Sequence, residues 1–346
     1  MTEPDIWREH LLAASELATS QDAPHGPNPR VGCIIVDSAG TVVGRGFHRG
    51  AGSAHAEVMA LQQAGERSRG GTAVVTLEPC NHVGRTGPCT QALLAAGIRR
   101  VVYGQSEPSD RGGAVVLDRS GVEVIGPFPD GQWQLINIEW THFQRTGLPF
   151  VTLKMAMSLD GRVGLPGNRP SRITGQAAHA WTHRLRSQVG AVMVGSGTAL
   201  ADNPLLTARD ESGRALPRQP LRVVVGRRQL PGNLALVAQP GEWLHLQERD
   251  LLAALGKLAD RDVWHVLVEG GPTLAAALLD CEVVDRLAWF IAPQVLGAGP
   301  VSLPIPLPVT DLQVVQVQQI GEDVLVIANP RKRSQPVEES LIGLGH

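Results

Sequence analysis

The chain has 346 residues, a formal net charge of −2, and 43% hydrophobic but only 4% aromatic residues. That length suggests two domains of about 150 residues each. No apolar run approaches the roughly 18 residues of a membrane span, and no secretory leader pattern opens the chain, so a membrane protein and a small disulfide scaffold are excluded and a cytoplasmic place is expected. Residues 1–146 carry a net charge of −3 and residues 147–346 of +1. Neither half has the basic excess that nucleic-acid binding needs.

In chain order, Trp7, Leu11, Ala14 and Ala18 share one helical face. Val31–Val36 is an apolar run expected to form a buried strand. Asp37–Gly40 is a turn, and Thr41–Gly44 returns from it as a hairpin. A helix is predicted from near His55 to Ala64, a strand over Ala73–Leu77, a helix over Thr90–Ala96 stopped by Gly97, and a strand over Val101–Tyr103. Residues 126–149 are rich in Gly and Pro, and the domain boundary is expected near Gly147, just before a new strand opens at Phe150. Beyond it, strands are predicted over Phe150–Met155, Ala191–Val194, Leu221–Val225 and Val263–Val268. Helices are predicted over Ala177–Val189, Leu251–Leu258 and Thr273–Leu279. Val284–Ile291, Leu312–Val317 and Val324–Ile327 close the chain with β structure, and 330–346 is expected to be a mobile tail. Alternating strands and helices in both halves predict the α/β class.

The chemistry concentrates in His55-Ala56-Glu57, Pro79-Cys80 and Cys89. One imidazole and two thiolates suit zinc, with a fourth position left for water. On a helix, residues two apart are about 200° apart around the axis. His55 and Glu57 can therefore meet only over a helix N-terminus. Cys80 is expected to end a strand and Cys89 to open a helix, a position that favours thiolate. Zinc deaminases use such a ligand set with a non-ligand Glu as proton carrier. A structural site with His82 as fourth ligand is the competing reading, and it has no need of Glu57. Cys33 and Cys281 read as core residues, and His48 as either a satisfied histidine or a ligand contact.

Pro27-Asn28-Pro29-Arg30-Val31-Gly32, His55-Ala56-Glu57 and Thr76–Cys89, with its eight-residue spacer carrying Gly84-Arg85-Thr86, resemble the bifunctional riboflavin-biosynthesis deaminase–reductase family. The resemblance continues through Lys154–Arg162, Arg184-Leu185-Arg186, Val194–Thr198, Asp202–Arg209 and Val268–Thr273. It implies a cytidine-deaminase-like α/β/α domain over 1–146 and a dihydrofolate-reductase-like α/β domain over 147–329. By resemblance, His55, Cys80 and Cys89 hold one zinc ion and Glu57 carries the proton. Asn28, His48, His82 and Arg85 contact a pyrimidine nucleotide. In the second half, Ala156, Thr198, Asp202 and the segment opening with Gly271, Pro272 and Thr273 contact NADPH, and Lys154, Arg186, Leu206, Arg209 and Glu269 meet the substrate. Arg186 and Arg209 suit its phosphate, and Lys154 either polarises the substrate or is a strand-edge charge.

Two places depart from the family pattern. Pro170 and Arg172 stand where the family has Ser and Trp, and Gly226-Arg227 where it often has Asp-Ser. Arg172 and Arg227 lie on the cofactor side by resemblance, where an arginine could pair with the 2′-phosphate. Three alternatives remain at this point: a nucleoside or tRNA deaminase with a non-catalytic second domain, a zinc-stabilised binding protein, and a family member with a weakened reductase. Gly-rich edges and apolar C-terminal strands are compatible with a homo-oligomer.

Overall fold

The computed structural model describes residues 3–20, 28–50, 52–82, 87–109, 111–166, 172–303 and 310–331. Contacts divide the chain into two compact units, Met1–Gly147 and Leu148–His346.

The first unit is a three-layer α/β/α sandwich. Its sheet has the order β2-β1-β3-β4-β5, built from β1 (Gly32–Val36), β2 (Val42–Phe47), β3 (Thr72–Leu77), β4 (Arg100–Gln105) and β5 (Glu123–Ile125). β1 pairs antiparallel with β2 and β3, whereas β3, β4 and β5 run parallel. Period-two alternation divides β1 between the two faces of the sheet. Ile34 and Val36 join Trp7, Leu11 and Ala14 of α1 (Glu3–Ala18) on one face. Cys33 and Ile35 join Ala56, Ala60 and Ala64 of α2 (Ala56–Ala64), Leu93 of α3 (Cys89–Ala95) and Leu117 of α4 (Ala114–Arg119) on the other.

The Gly- and Pro-rich stretch before Gly147 is largely structured. It contains α5 (Ile138–Thr146), which buries Trp140 and Thr141 and ends on Gly147 in the left-handed conformation. With so short a buried stripe, the segment shows breakers more plainly than helical periodicity.

The second unit has an eight-stranded sheet of order β12-β13-β11-β6-β10-β7-β8-β9. Its parallel centre comprises β6 (Phe150–Ser158), β7 (Ala191–Gly195), β8 (Leu221–Val225), β9 (Trp243–Leu246), β10 (His265–Val268) and β11 (Arg286–Ala292). β12 (Leu312–Ile320) and β13 (Asp323–Pro330) add an antiparallel hairpin. α8 (Leu251–Ala259) and α9 (Pro272–Asp280) pack Leu255, Leu258, Ala275 and Leu278 against Val151, Leu153 and Val266. On other parts of the sheet, α6 (Gln176–Gln188) contributes Leu185 beside Val192 and Val194, and Ala178 and Trp181 beside Phe290. Crossover helices joining parallel strands produce this α/β layering.

Three expectations need correction. Cys281 is exposed, because it sits on the C-cap of α9, past the last buried turn. Lys154 is no strand-edge charge, since β6 is paired on both sides by β10 and β11. Pro330 belongs to β13, and the backbone N–H of Arg331 donates to Asp311 O at 2.8 Å, so the hairpin runs into the expected tail. Residues 332–346 lie outside the described residues, as do Arg85 and Pro170.

Candidate active sites

His55 is the N-cap of α2, with φ −68° and ψ 160°, and Glu57 lies in the first turn. The helix start thus turns both side chains inward, as their spacing requires. Cys89 opens α3. Cys80 lies three residues past β3 rather than at its end, and an isolated bridge to Gly112 fixes it there. The ligand atoms of His55, Cys80 and Cys89 all lie within 4.8 Å of one another. His55 Nδ1 is 3.1 Å from Cys89 Sγ and 3.5 Å from Cys80 Sγ. Tetrahedral zinc with ordinary bond lengths would set N···S at about 3.6 Å. The donor set therefore fits zinc in both chemistry and spacing.

The electrostatics agree. The Cys80 thiol is pulled down to about 4, first by the hydrogen bond from the Cys89 thiol and then, against burial, by His55. Cys89, which keeps the shared proton, is pushed up. The hydrogen bond to Cys80 raises the His55 imidazole. Glu57 is 3% exposed, and burial pushes its carboxyl above the ordinary value. A carboxyl so raised binds a proton more readily than a free one, as a proton carrier must.

Asn28 and His48 stand beside this cluster. Asn28 Nδ2 is 2.7 Å from His48 Nε2, and His48 Nδ1 is 3.3 Å from Ala54 O. The His48 ring meets His55 edge-on at 5.5 Å. The Asn28 amide nitrogen can only donate, so Nε2 accepts, and burial lowers the pKa of the ring. His82 is exposed, two residues past Cys80. Sequence reasoning missed Glu78. Its carboxylate accepts from Ala114 N at 2.9 Å and Glu107 N at 3.1 Å, tying down the segment that bridges Cys80. A charged residue at the end of an otherwise apolar strand was the available signal.

In the second unit, the parallel strands β6, β10, β7 and β8 lie side by side, and their C-terminal ends gather most of the predicted residues. Open parallel sheets bind ligands at that edge. Thr198 in α7 (Ser196–Asp202) accepts from Gly271 N through its hydroxyl at 3.0 Å, which joins the loops after β7 and β10. A Cβ on Gly271 would come within 2.9 Å of that hydroxyl. One on Gly226, which has φ +124°, would come within 2.6 Å of Ser196 Oγ. Gly226 is thus dictated by the local backbone. Pro272 and Thr273 open α9, with proline in the first turn, where its missing N–H costs nothing. This glycine-lined cradle fits a nicotinamide dinucleotide. Asp202, Arg172 and Arg227 are exposed, and Ala156 is partly buried on β6.

Glu269 follows β10 and grips Arg186, with Arg186 Nε donating to Oε1 at 2.6 Å and Nη2 to Oε2 at 3.0 Å. The face expected to clasp phosphate is therefore occupied by a carboxylate. Burial pushes Glu269 up, but Arg186, Lys154 and His183 outweigh it and hold the carboxyl low. The Lys154 ammonium lies 5.7 Å over the Phe290 ring, and burial lowers its pKa. The Leu206 side chain is buried among Val192, Val194 and Val224, so only its backbone can face a ligand. Arg209 donates from Nε to Thr207 Oγ1 at 3.0 Å and from Nη1 to Gly213 O at 2.8 Å.

Comparison with known proteins agrees with both units. The family model described as the cytidine and deoxycytidylate deaminase zinc-binding region matches residues 5–105. The RibD C-terminal domain matches residues 149–326. Riboflavin biosynthesis protein RibD of Mycobacterium tuberculosis (strain H37Rv) is 40% identical over 309 residues, covering 87% of this chain and 90% of the relative. The chain belongs to the RibD family. RibD of Escherichia coli (strain K12) is 37% identical, over 84% of this chain and 88% of its own. The solved RibD of Acinetobacter baumannii superposes with a TM-score of 0.88 at 32% identity, covering 95% of this chain and all of that one. A Thermotoga maritima structure, described as a diaminohydroxyphosphoribosylaminopyrimidine deaminase/5-amino-6-(5-phosphoribosylamino)uracil reductase, gives 0.84 at 30%, with the same coverage. This RibD-family chain is thus a riboflavin-biosynthesis enzyme with a zinc-binding deaminase domain and a reductase domain that points to a nicotinamide cofactor. Among the described residues, no helix is long and apolar enough to cross a membrane.

Proposed function

We propose that residues 1–146 hydrolytically deaminate 2,5-diamino-6-(5-phosphoribosylamino)pyrimidin-4(3H)-one. Residues 147–329 then reduce the ribosyl group of the product, 5-amino-6-(5-phosphoribosylamino)uracil, to ribityl. The observation that carries the first step is the convergence of His55, Cys80 and Cys89 beside the buried Glu57. These three side chains would hold one zinc ion, which when bound lowers the pKa of a water molecule. Glu57 takes the proton that water gives up and delivers it to the departing ammonia. His48, anchored on Ala54, fixes the Asn28 amide, whose remaining oxygen and N–H are available to the pyrimidine, and His82 and Arg85 meet its phosphoribosyl part. The thiols of Cys80 and Cys89 suit a reducing compartment, in keeping with a cytoplasmic enzyme.

For the second step, the cradle of Thr198, Gly271, Pro272 and Thr273 supports NADPH, with Ala156, Asp202, Arg172 and Arg227 around it. Hydride transfer is the cofactor's chemistry, and the protein supplies orientation and charge. Lys154, Glu269 and Arg209 face the substrate, and Arg186 orders Glu269.

A paired assay on zinc-loaded protein tests both halves. With the diaminopyrimidinone nucleotide, ammonia is expected without NADPH, and NADPH oxidation only after deamination. Absence of ammonia would overturn the substrate assignment. Ammonia without NADPH oxidation would reject the reductase reading and point to Pro170, Arg172 and Arg227.

A further inference from the structure

Thr207 draws three basic side chains together. Its carbonyl oxygen is 3.2 Å from His183 Nδ1 and accepts from Arg186 Nη1 at 3.0 Å. Its hydroxyl accepts from Arg209 Nε at 3.0 Å. The residue is 1% exposed and follows Leu206, whose φ of 54° is left-handed. A leucine there is strained by its Cβ, and the surrounding packing must hold it. The contacts thus form a fixed hub rather than a surface coincidence.

The charge around the hub is unbalanced. Among the described residues, the interactions around it set Lys154, Arg186 and Arg209 against the carboxylate of Glu269. Partly buried charge without a counter-charge is costly, so such an excess favours an anionic ligand. His183 lies on α6 one turn before Arg186. Its Nδ1 is engaged with Thr207, and its Nε2 makes no hydrogen bond among the described residues.

We propose that His183 is a further binding residue of the reductase half, whose protonated Nε2–H joins the Arg209 guanidinium in holding the substrate's dianionic phosphate, while Glu269 and Thr207 keep Arg186 in place. The proposal rests on the reading that this half acts on a phosphorylated ribosyl compound. Burial and Arg186 lower the free imidazole, Thr207 and Glu269 pull it back, and Arg209 lowers it further. His179, one turn earlier on α6, is lowered by burial and then by Arg172, Lys154, His183 and Arg186. Free His183 is therefore harder to protonate than an ordinary imidazole, and an incoming dianion raises its pKa. Anion binding takes up a proton. Affinity is fullest below the free pKa and falls as pH rises toward the bound pKa.

The test uses sulfate, which stays dianionic throughout the neutral range, and imidazole NMR of the full-length protein. Sulfate is expected to raise the His183 pKa, and its affinity to fall several-fold between pH 6 and pH 8. In His183→Gln, an amide N–H can still reach Thr207 but no charge can form, so this pH dependence should vanish. The same variant should raise KM for the phosphorylated substrate roughly tenfold at low pH, leaving kcat, KM for NADPH and ammonia release unchanged. A His183 resonance indifferent to sulfate, or a pH dependence that survives the substitution, overturns the proposal. NADPH oxidation with a silent His183 rejects the histidine's role and keeps the reductase reading. A responsive His183 without NADPH oxidation does the reverse.

Discussion

At the scale of single residues, the first unit separates holding a metal from moving a proton. Glu57 is not among the three clustered ligands, yet its carboxyl is buried beside them and raised by that burial. Glu57→Gln should keep zinc content, measured by metal analysis, and cut ammonia release by about 10²–10⁴-fold. Cys89→Ser should instead lose the metal itself. Asp160 shows the opposite use of a carboxylate. It accepts from Ser158 Oγ at 2.6 Å, Leu296 N at 3.0 Å and Gly297 N at 2.8 Å, and these bonds hold it at about 2. A carboxyl lowered on folding contributes stability above its unfolded pKa and loses it as pH falls through the folded value. Asp160→Asn should therefore lower the urea midpoint at pH 7, and the gap to the parent protein should narrow as pH is lowered from 5 to 3. A gap independent of pH would mean that shape rather than charge holds the loop.

At the scale of elements, the site depends on how closely α2 lies on β2. A Cβ on Gly46 would come within 2.2 Å of Ala56 O, and one on Gly44 within 2.1 Å of Ala60 O. Ala56 lies between His55 and Glu57, so Gly46→Ala must displace the start of α2, and His55 with it, relative to β2. The expected result is a loss of about 1–3 kcal/mol from overpacking, with weaker zinc retention against a chelator. Unchanged metal affinity would show that the ligands tolerate movement of the helix. This close approach was not legible in the sequence, where Gly44 and Gly46 look like ordinary strand glycines. What was legible shows period and composition within a few residues: the α1 face, the apolar β1, and the His55-Ala56-Glu57 step that only a helix start can present. What escaped depends on partners distant in the chain. The Arg186–Glu269 pair spans 83 positions, and it converts an expected phosphate clasp into an internal ion pair. The depth of Lys154 follows from β6 having a neighbour on each side. Short elements such as α4, β5 and β9 offer too few residues for a period to show.

At the scale of the whole molecule, each unit has its own buried clusters. Cys33, Ala60 and Leu93 form one core of the first unit, and Val151, Leu255 and Leu278 one of the second. The proposed ligands divide in the same way, zinc with the first and NADPH with the second. A ligand that binds only the folded state stabilises what it binds by about 2.7 kcal/mol when present at 100 times its Kd. For a unit of this size, each kcal/mol shifts the midpoint by roughly 2–4 °C. Calorimetry of the full chain should therefore resolve two responses. A chelator should lower one transition and leave the other in place, while NADPH should raise only the transition that the chelator spares. Cys89→Ser should abolish the chelator response and keep the NADPH response. If chelator and NADPH instead move one common transition, the two cores unfold as a single cooperative block, and loss of metal in the deaminase half would also weaken the reductase half.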